Sequence, residues 1–197
     1  MHRANLLYWQ HCAAKYARHF SAPSKAIEFG SYDINGSIRQ VFDVEDYTGL
    51  DWRAGPCVDV VSLAHEYDPR GQKYDTIVSA SMLEHDPHWE ESISNMVKMM
   101  KVDGILILTW GAGLNVEHCL EEAPDGKFHC LKAGKVLNLL ERLGLYVHEL
   151  RYERLFVDSN NLRVRWGAAG DGMGEVGLVA FNKESCPTQL ARGSWTS

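Results

Sequence analysis

Apolar residues recur along this chain with two different periods, and the switches between them mark out its elements. From Arg3 to Phe20, the residues Leu6, Trp9, Ala13, Tyr16, Ala17 and Phe20 fall at three- and four-residue spacings, with Arg3, Lys15 and Arg18 elsewhere on the wheel. That pattern predicts an amphipathic helix. Pro23 then breaks it, because proline cannot continue a helix and pushes the residue before it into an extended conformation. Next come a predicted strand over Ala26–Phe29, a helix over Ser37–Phe42, and strands over Tyr47–Leu50, Val58–Ser62 and Tyr74–Ser81. A helix over His88–Lys101 carries Ile93, Met96, Val97 and Met100 along one face, and Gly104–Trp110 is a short, continuously apolar strand. A polar, irregular stretch reaches to about Cys130, and the helix that follows, over Lys132–Leu143, has Gly144 placed to end it. Leu145–Val157 and Val176–Asn182 alternate apolar and polar residues with period two. The residues between them are rich in loop formers, with room for one short strand and no helix, so the two long strands pair antiparallel.

Short apolar strands separated by helices describe a parallel sheet covered on both faces, so the fold class is α/β, doubly wound. The 197 residues suit one domain with a core of its own. Residues 1–22 form an N-terminal helix that either closes over the site as a lid, through Tyr8, Trp9 or His11, or packs on the flank of the sheet. Residues 23–183 form the α/β domain, and 184–197 a polar C-terminal tail.

Composition narrows the class of function. A hydrophobic fraction of 45% and a charged fraction of 23% are those of an ordinary soluble globular protein. No segment approaches the roughly 20 apolar residues of a membrane span, and no apolar signal-peptide region follows Met1. Cys12, Cys57, Cys119, Cys130 and Cys186 are scattered and free of any C-x-x-C pair, which suits reduced thiols in the cytoplasm. A net charge of −6 argues against a general nucleic-acid coat. In so acidic a chain, Arg151, Arg154, Arg163 and Arg165, interleaved with Tyr152 and Trp166, read as solvated strand faces before they read as a basic patch.

The candidate chemistry starts at Glu28–Ser37, "EFGSYDINGS", between the first strand and the helix predicted after it. A glycine turn there permits close backbone approach, and the amides of a following helix would face a ligand. Asp51 ends the next strand about twenty residues downstream, where a carboxylate can accept from a ribose diol. NAD and S-adenosylmethionine both carry adenosine, so Asp51 alone leaves both open. Glu28, just before the turn, would repel a pyrophosphate and attract a cation, which favours S-adenosylmethionine with its ammonium and sulfonium.

The runs "AIEFGSYDINGSIRQVF", "YTGLDWRAGPCVDVVSLAHEY" and "YDTIVSASMLEHDPHWEESISNMVKMMKVDGILILTW" resemble, in order and spacing, the class I S-adenosylmethionine-dependent methyltransferases, and especially the methyltransferase type 11 group. The resemblance implies a mostly parallel seven-stranded sheet of Rossmann-like form with its last strand antiparallel. It implies methyl transfer from S-adenosyl-L-methionine to a small-molecule or biosynthetic acceptor, through oxygen, nitrogen or carbon. It assigns Glu28 to the methionine end of the cofactor, Gly30 and Ser31 to backbone contacts, and Asp51 to the ribose hydroxyls. Trp52 would lie against the adenine, Leu63 and Ala64 along its edge, and Ser79 and Ala80 beside the sulfonium. Leu63 stands where an acidic residue is common in the family, and Tyr32 and Asp33 where small residues are common.

Methyl transfer is an in-line displacement, served mainly by alignment in a dry site, and a hydroxyl or protonated amine acceptor gains from a base near neutral pKa. Glu84, His85, Asp86 and His88 follow the fourth strand at the edge where ligands of such sheets bind. His85 is the first candidate base, against the alternative of a polar loop that caps the next helix. His118 is the second. The dipeptides His118-Cys119 and His129-Cys130 offer zinc-type ligands without zinc-type spacing, so no metal is expected. An NAD-linked oxidoreductase and a non-catalytic binding protein on the same fold are the alternatives.

Overall fold

The computed structural model describes residues 3–34, 36–112, 123–129, 131–158, 161–166 and 174–185, with backbone alone at 3–5, 112, 152–158, 161–166 and 174. Strands β1 (Lys25–Phe29), β2 (Asp46–Asp51), β3 (Val60–Val61), β4 (Tyr74–Ala80), β5 (Met100–Ala112), β6 (Leu145–Asp158), β7 (Asn161–Trp166) and β8 (Gly174–Asn182) form one sheet in the order β3-β2-β1-β4-β5-β8-β6-β7. Neighbours from β3 through β5 pair in parallel, while β8 runs antiparallel to both β5 and β6. The expected seven strands are present in the expected arrangement, with their last strand inserted antiparallel. The short strand expected between the two long ones is β7, which extends the far edge as a hairpin with β6.

Helices cover both faces. On one, α3 (Trp89–Met99) and α4 (Ala133–Arg142) set Ile93, Met96, Val136, Leu139 and Leu140 against Ile27, Phe29, Leu50, Ile77, Leu106, Leu108 and Trp110. On the other, α1 (Arg3–Lys15) and α2 (Ala17–Phe20) lay Tyr8, Trp9, Cys12 and Phe20 on Val78, Ile105, Ile107 and Val179. The predicted N-terminal helix is therefore two helices, interrupted at Tyr16 (φ −113°, ψ 40°), whose hydroxyl donates to Glu149 on β6. Trp9 is fully buried in this face and Tyr8 nearly so. The Tyr8 ring lies against Gly177, where an added Cβ would stand 2.7 Å from Cζ. Among the described residues, no helix is long and apolar enough to cross a membrane.

Two further sequence expectations are corrected. In place of a helix over Ser37–Phe42 there is one 3-10 turn, Ile38–Val41, with Ser37 Oγ accepting from the Arg39 amide. Phe42 cannot prolong it. Its ring stacks on Phe20 at 4.4 Å, and Asp43 then pairs with Ser21 and donates to the Phe20 carbonyl. The helix predicted to reach Lys101 ends at Met99, because Met100 turns extended to pair with Tyr74 and Lys101 is held by Asp75 at 2.8 Å.

Candidate functional site

Gly30 turns the chain out of β1 at φ +82°, and its amide and that of Ser31 converge on the Leu50 carbonyl at 2.8 and 3.1 Å. Met82 crosses so close that a Cβ on Gly30 would stand 2.6 Å from its own Cβ. The two residues that crowd this turn are directed toward the loop after β2. Asp33 donates its amide to the Pro56 carbonyl at 3.0 Å and accepts the Gly36 amide at 2.6 Å. The Tyr32 ring lies on Gly55, with the Arg53 guanidinium 4.2 Å from its centroid.

Glu28 is 3% exposed and accepts a hydrogen bond from the Tyr47 hydroxyl at 2.6 Å. Parallel register sets Glu28 opposite Gly49, and Tyr47 stands two residues earlier on the same face of β2. Burial pushes the Glu28 carboxyl up to about 8, against the opposing pull of Tyr47 and of Arg39. Arg39 donates to the Tyr47 carbonyl and pairs with Asp59, and Asp59 accepts the Gly49 amide at 2.7 Å. Periodicity in a single segment could not have revealed Tyr47, Arg39 and Asp59. The signal lies in the pairing of two strands.

Asp51 ends β2, 8% exposed, and its carboxylate accepts the Tyr32 and Arg53 amides, each at 3.2 Å. Burial raises its pKa, and the backbone amides and Arg53 counter that rise. Trp52, next along, is 38% exposed. Leu63 and Ala64 lie in the turn after β3, which Asn95 of α3 fastens through bonds to the Ala64 and Tyr67 carbonyls at 2.9 and 2.8 Å. Ser79 and Ala80 end β4. The hydroxyls of Ser31 and Ser79 are buried, with no hydrogen-bond partner among the described residues.

Beyond β4, Ser81 takes a left-handed conformation (φ +53°) and a 3-10 turn forms over Leu83–His85. Glu84 Oε1 accepts the Gly111 amide at 2.8 Å, and the His85 ring meets Phe128 edge-on at 5.6 Å. Asp86 turns the other way and accepts the His88 amide at 2.8 Å and the Ser92 hydroxyl at 2.5 Å. Asp86 thus braces the approach to α3, while Glu84 and His85 stand at the edge between β4 and β5. The His88 ring lies 4.2 Å from that of His65. His118, with Cys119 and Cys130, lies outside the described residues. Among the described residues, no group of three or more His, Cys, Asp or Glu side chains could hold a metal ion.

No family model matches the sequence, and no curated relative reaches significant similarity. Solved structures do resemble the fold. A candidate methyltransferase from Bacillus halodurans aligns over 90% of this chain and 98% of its own, with a TM-score of 0.65 and 11% identity. An S-adenosylmethionine-dependent methyltransferase from Clostridium acetobutylicum aligns over 90% and 92%, with a TM-score of 0.61 and 9% identity. A phosphoethanolamine N-methyltransferase from Haemonchus contortus, solved with S-adenosylhomocysteine, aligns over 88% of this chain and 52% of its own, with a TM-score of 0.59 and 13% identity. The chain therefore has the fold of the class I S-adenosylmethionine-dependent methyltransferases. At this identity the likeness is one of fold, and the type 11 grouping has no matching family model.

Proposed function

We propose that the protein is a cytoplasmic methyltransferase that uses S-adenosyl-L-methionine on a small-molecule acceptor. The observation that carries this reading is Asp51, an anchored carboxylate at the carboxyl end of β2, beside the glycine turn and followed by the exposed Trp52. These residues fit the adenosine half of the cofactor, with Asp51 toward the ribose hydroxyls, Trp52 against the adenine, and Leu63 and Ala64 along its edge. The buried, unpartnered hydroxyls of Ser31 and Ser79 are polar atoms that a ligand could satisfy. The bound cofactor supplies an electrophilic methyl group on a sulfonium, and the chain's part is to align the acceptor and exclude water. His85, at the edge beyond β4, serves as an acceptor-positioning residue.

One observation favours a second reading, that of a binding protein on a methyltransferase fold. Glu28 is engaged by Tyr47, and the amides of Gly30 and Ser31 by the Leu50 carbonyl, so those groups of the methionine end are satisfied within the protein. Calorimetry with S-adenosylmethionine, S-adenosylhomocysteine and NAD tests both. The first two are expected to bind and NAD not, with binding lost in Asp51→Ala. Absence of binding by the first two rejects the methyltransferase reading. Methyl-labelled donor, offered with fractionated cell extract to wild type and His85→Ala, then separates an enzyme from a binding protein.

A further inference from the structure

A second histidine stands at the same edge in a more developed setting than His85. In the segment 123–129, Asp125 Oδ2 lies 3.2 Å from His129 Nε2, and Asp125 Oδ1 accepts the Lys127 amide at 3.1 Å, which fixes the carboxylate. The Gly126 amide closes the turn on the Ala123 carbonyl at 3.0 Å. The whole segment is tied to the exit of β4: the His129 amide donates to the Glu84 carbonyl at 2.6 Å, and Phe128 packs on His85. Glu84 in turn holds Gly111 at the end of β5. A carboxylate only accepts, so in the neutral ring Nε2 carries the hydrogen and Nδ1 is left as the proton acceptor. Both side chains are about a third exposed, within reach of a small molecule, whereas His85 is buried under Phe128.

We infer that His129, oriented by Asp125, is the general base of the acceptor site, and that the acceptor is a hydroxyl or a protonated amine. The inference rests on the methyltransferase reading above. As the acceptor's lone pair forms its bond to the methyl carbon, the sulfur–methyl bond breaks and its electron pair stays on sulfur. The acceptor's proton goes to Nδ1 and then to water. For an amine the same proton leaves first, to free the lone pair. Asp125 acts through His129 by holding the ring's orientation and tautomer, the division of labour of any carboxylate-supported imidazole base. Among the described residues, the titratable or charged groups on the elements tied to this segment are Glu84 and His85 of the 3-10 turn and Lys127 of the segment itself.

The test uses the full chain with histidines labelled in nitrogen, as wild type, Asp125→Asn and His129→Asn. Nitrogen spectra across pH are expected to show one imidazole, missing in His129→Asn, as the Nε2–H tautomer. Asp125→Asn should change its tautomer balance. An Nδ1–H tautomer in the wild type, or a ring indifferent to Asp125→Asn, overturns the inference whether or not turnover is seen. A phenol, a catechol and a primary amine are then offered with labelled S-adenosylmethionine. His129→Asn is expected to lose about 10²-fold in kcat near neutral pH with KM little changed, and to lose the rising limb of the wild-type pH profile. In Asp125→Asn that limb should persist, reduced in height. A His129→Asn profile parallel to wild type overturns the base while leaving the methyltransferase reading intact. Failure of wild type to bind S-adenosylhomocysteine in calorimetry overturns both.

Discussion

The hydroxyl of Tyr47 donates to Glu28 Oε2 at 2.6 Å inside the sheet, and the pair joins the first two strands beneath the glycine turn. Burial lifts the Glu28 carboxyl from 4.5 to about 8, so the folded protein keeps a proton that the unfolded chain releases. Between those two pH values the unfolded state binds fewer protons, and stability from this group falls as pH rises, by about 1.4 kcal/mol per pH unit. Glu28→Gln has no such proton to lose. Denaturant unfolding at pH 5, 6, 7 and 8 should therefore show its stability gaining steadily on the wild type. A constant difference would contradict a buried, neutral Glu28.

His19 gives the opposite slope. Its Nδ1 donates to the Asp75 carbonyl at 3.2 Å and its Nε2 accepts from Arg18 Nε at 3.0 Å, which defines a neutral ring. Burial, and then Arg18, push its pKa down to about 4 from 6.5. Below pH 6.5 the unfolded chain takes up a proton that the folded one refuses. Stability from His19 is thus complete above that pH and declines toward about pH 4. Thermal melts of His19→Gln between pH 4 and 7 are expected to lose much of the wild type's acid sensitivity.

Gly30→Ala joins two strains at the turn: a left-handed backbone at φ +82° and a Cβ 2.6 Å from that of Met82. A loss of about 1–3 kcal/mol in unfolding free energy is expected. Met82→Gly should recover part of that loss by removing the clash, leaving the backbone strain.

Gly177→Ala sets a methyl 2.7 Å from Tyr8 Cζ, on the face where α1 meets β8. It should destabilise by about 1–3 kcal/mol, and by clearly less in a Tyr8→Ala background. Additive effects in the double-mutant cycle would mean that Tyr8 does not occupy the space above Gly177.

The parallel, doubly covered sheet was legible because its signal is local: runs such as Gly104–Trp110 and Tyr74–Ser81 are apolar enough to need cover on both faces. What misled was also local. Ser37–Phe42 has helical spacing, yet Phe42 is claimed by Phe20, far earlier in the chain, and no window around position 40 contains that stacking. The candidate site divides in the same way. Asp51 could be placed from a strand end and a spacing, and the structure sets it at the end of β2 beside the turn. Tyr47 as the partner of Glu28 required the register of two paired strands, and Asp125 as the partner of His129 required a turn whose closure no periodic pattern announces. Tyr32 and Asp33 looked obstructive in sequence because small residues are expected there, but Gly55 and Pro56 supply the surface toward which they turn.

The placement of α1 also bears on how the chain matures during synthesis. Tyr8, Trp9 and Cys12 leave the ribosome well before their partners Ile105 and Ile107, and Val179 comes later still. Because β8 slots between β5 and β6, the earliest helix gains its full seat only when the final strand arrives. Until then the Trp9 indole has no complete shelter. A nascent chain stalled before Gly174 should accordingly be recognised by hydrophobic-binding chaperones and protease-sensitive around α1, and release of Gly174–Asn182 should end both states together.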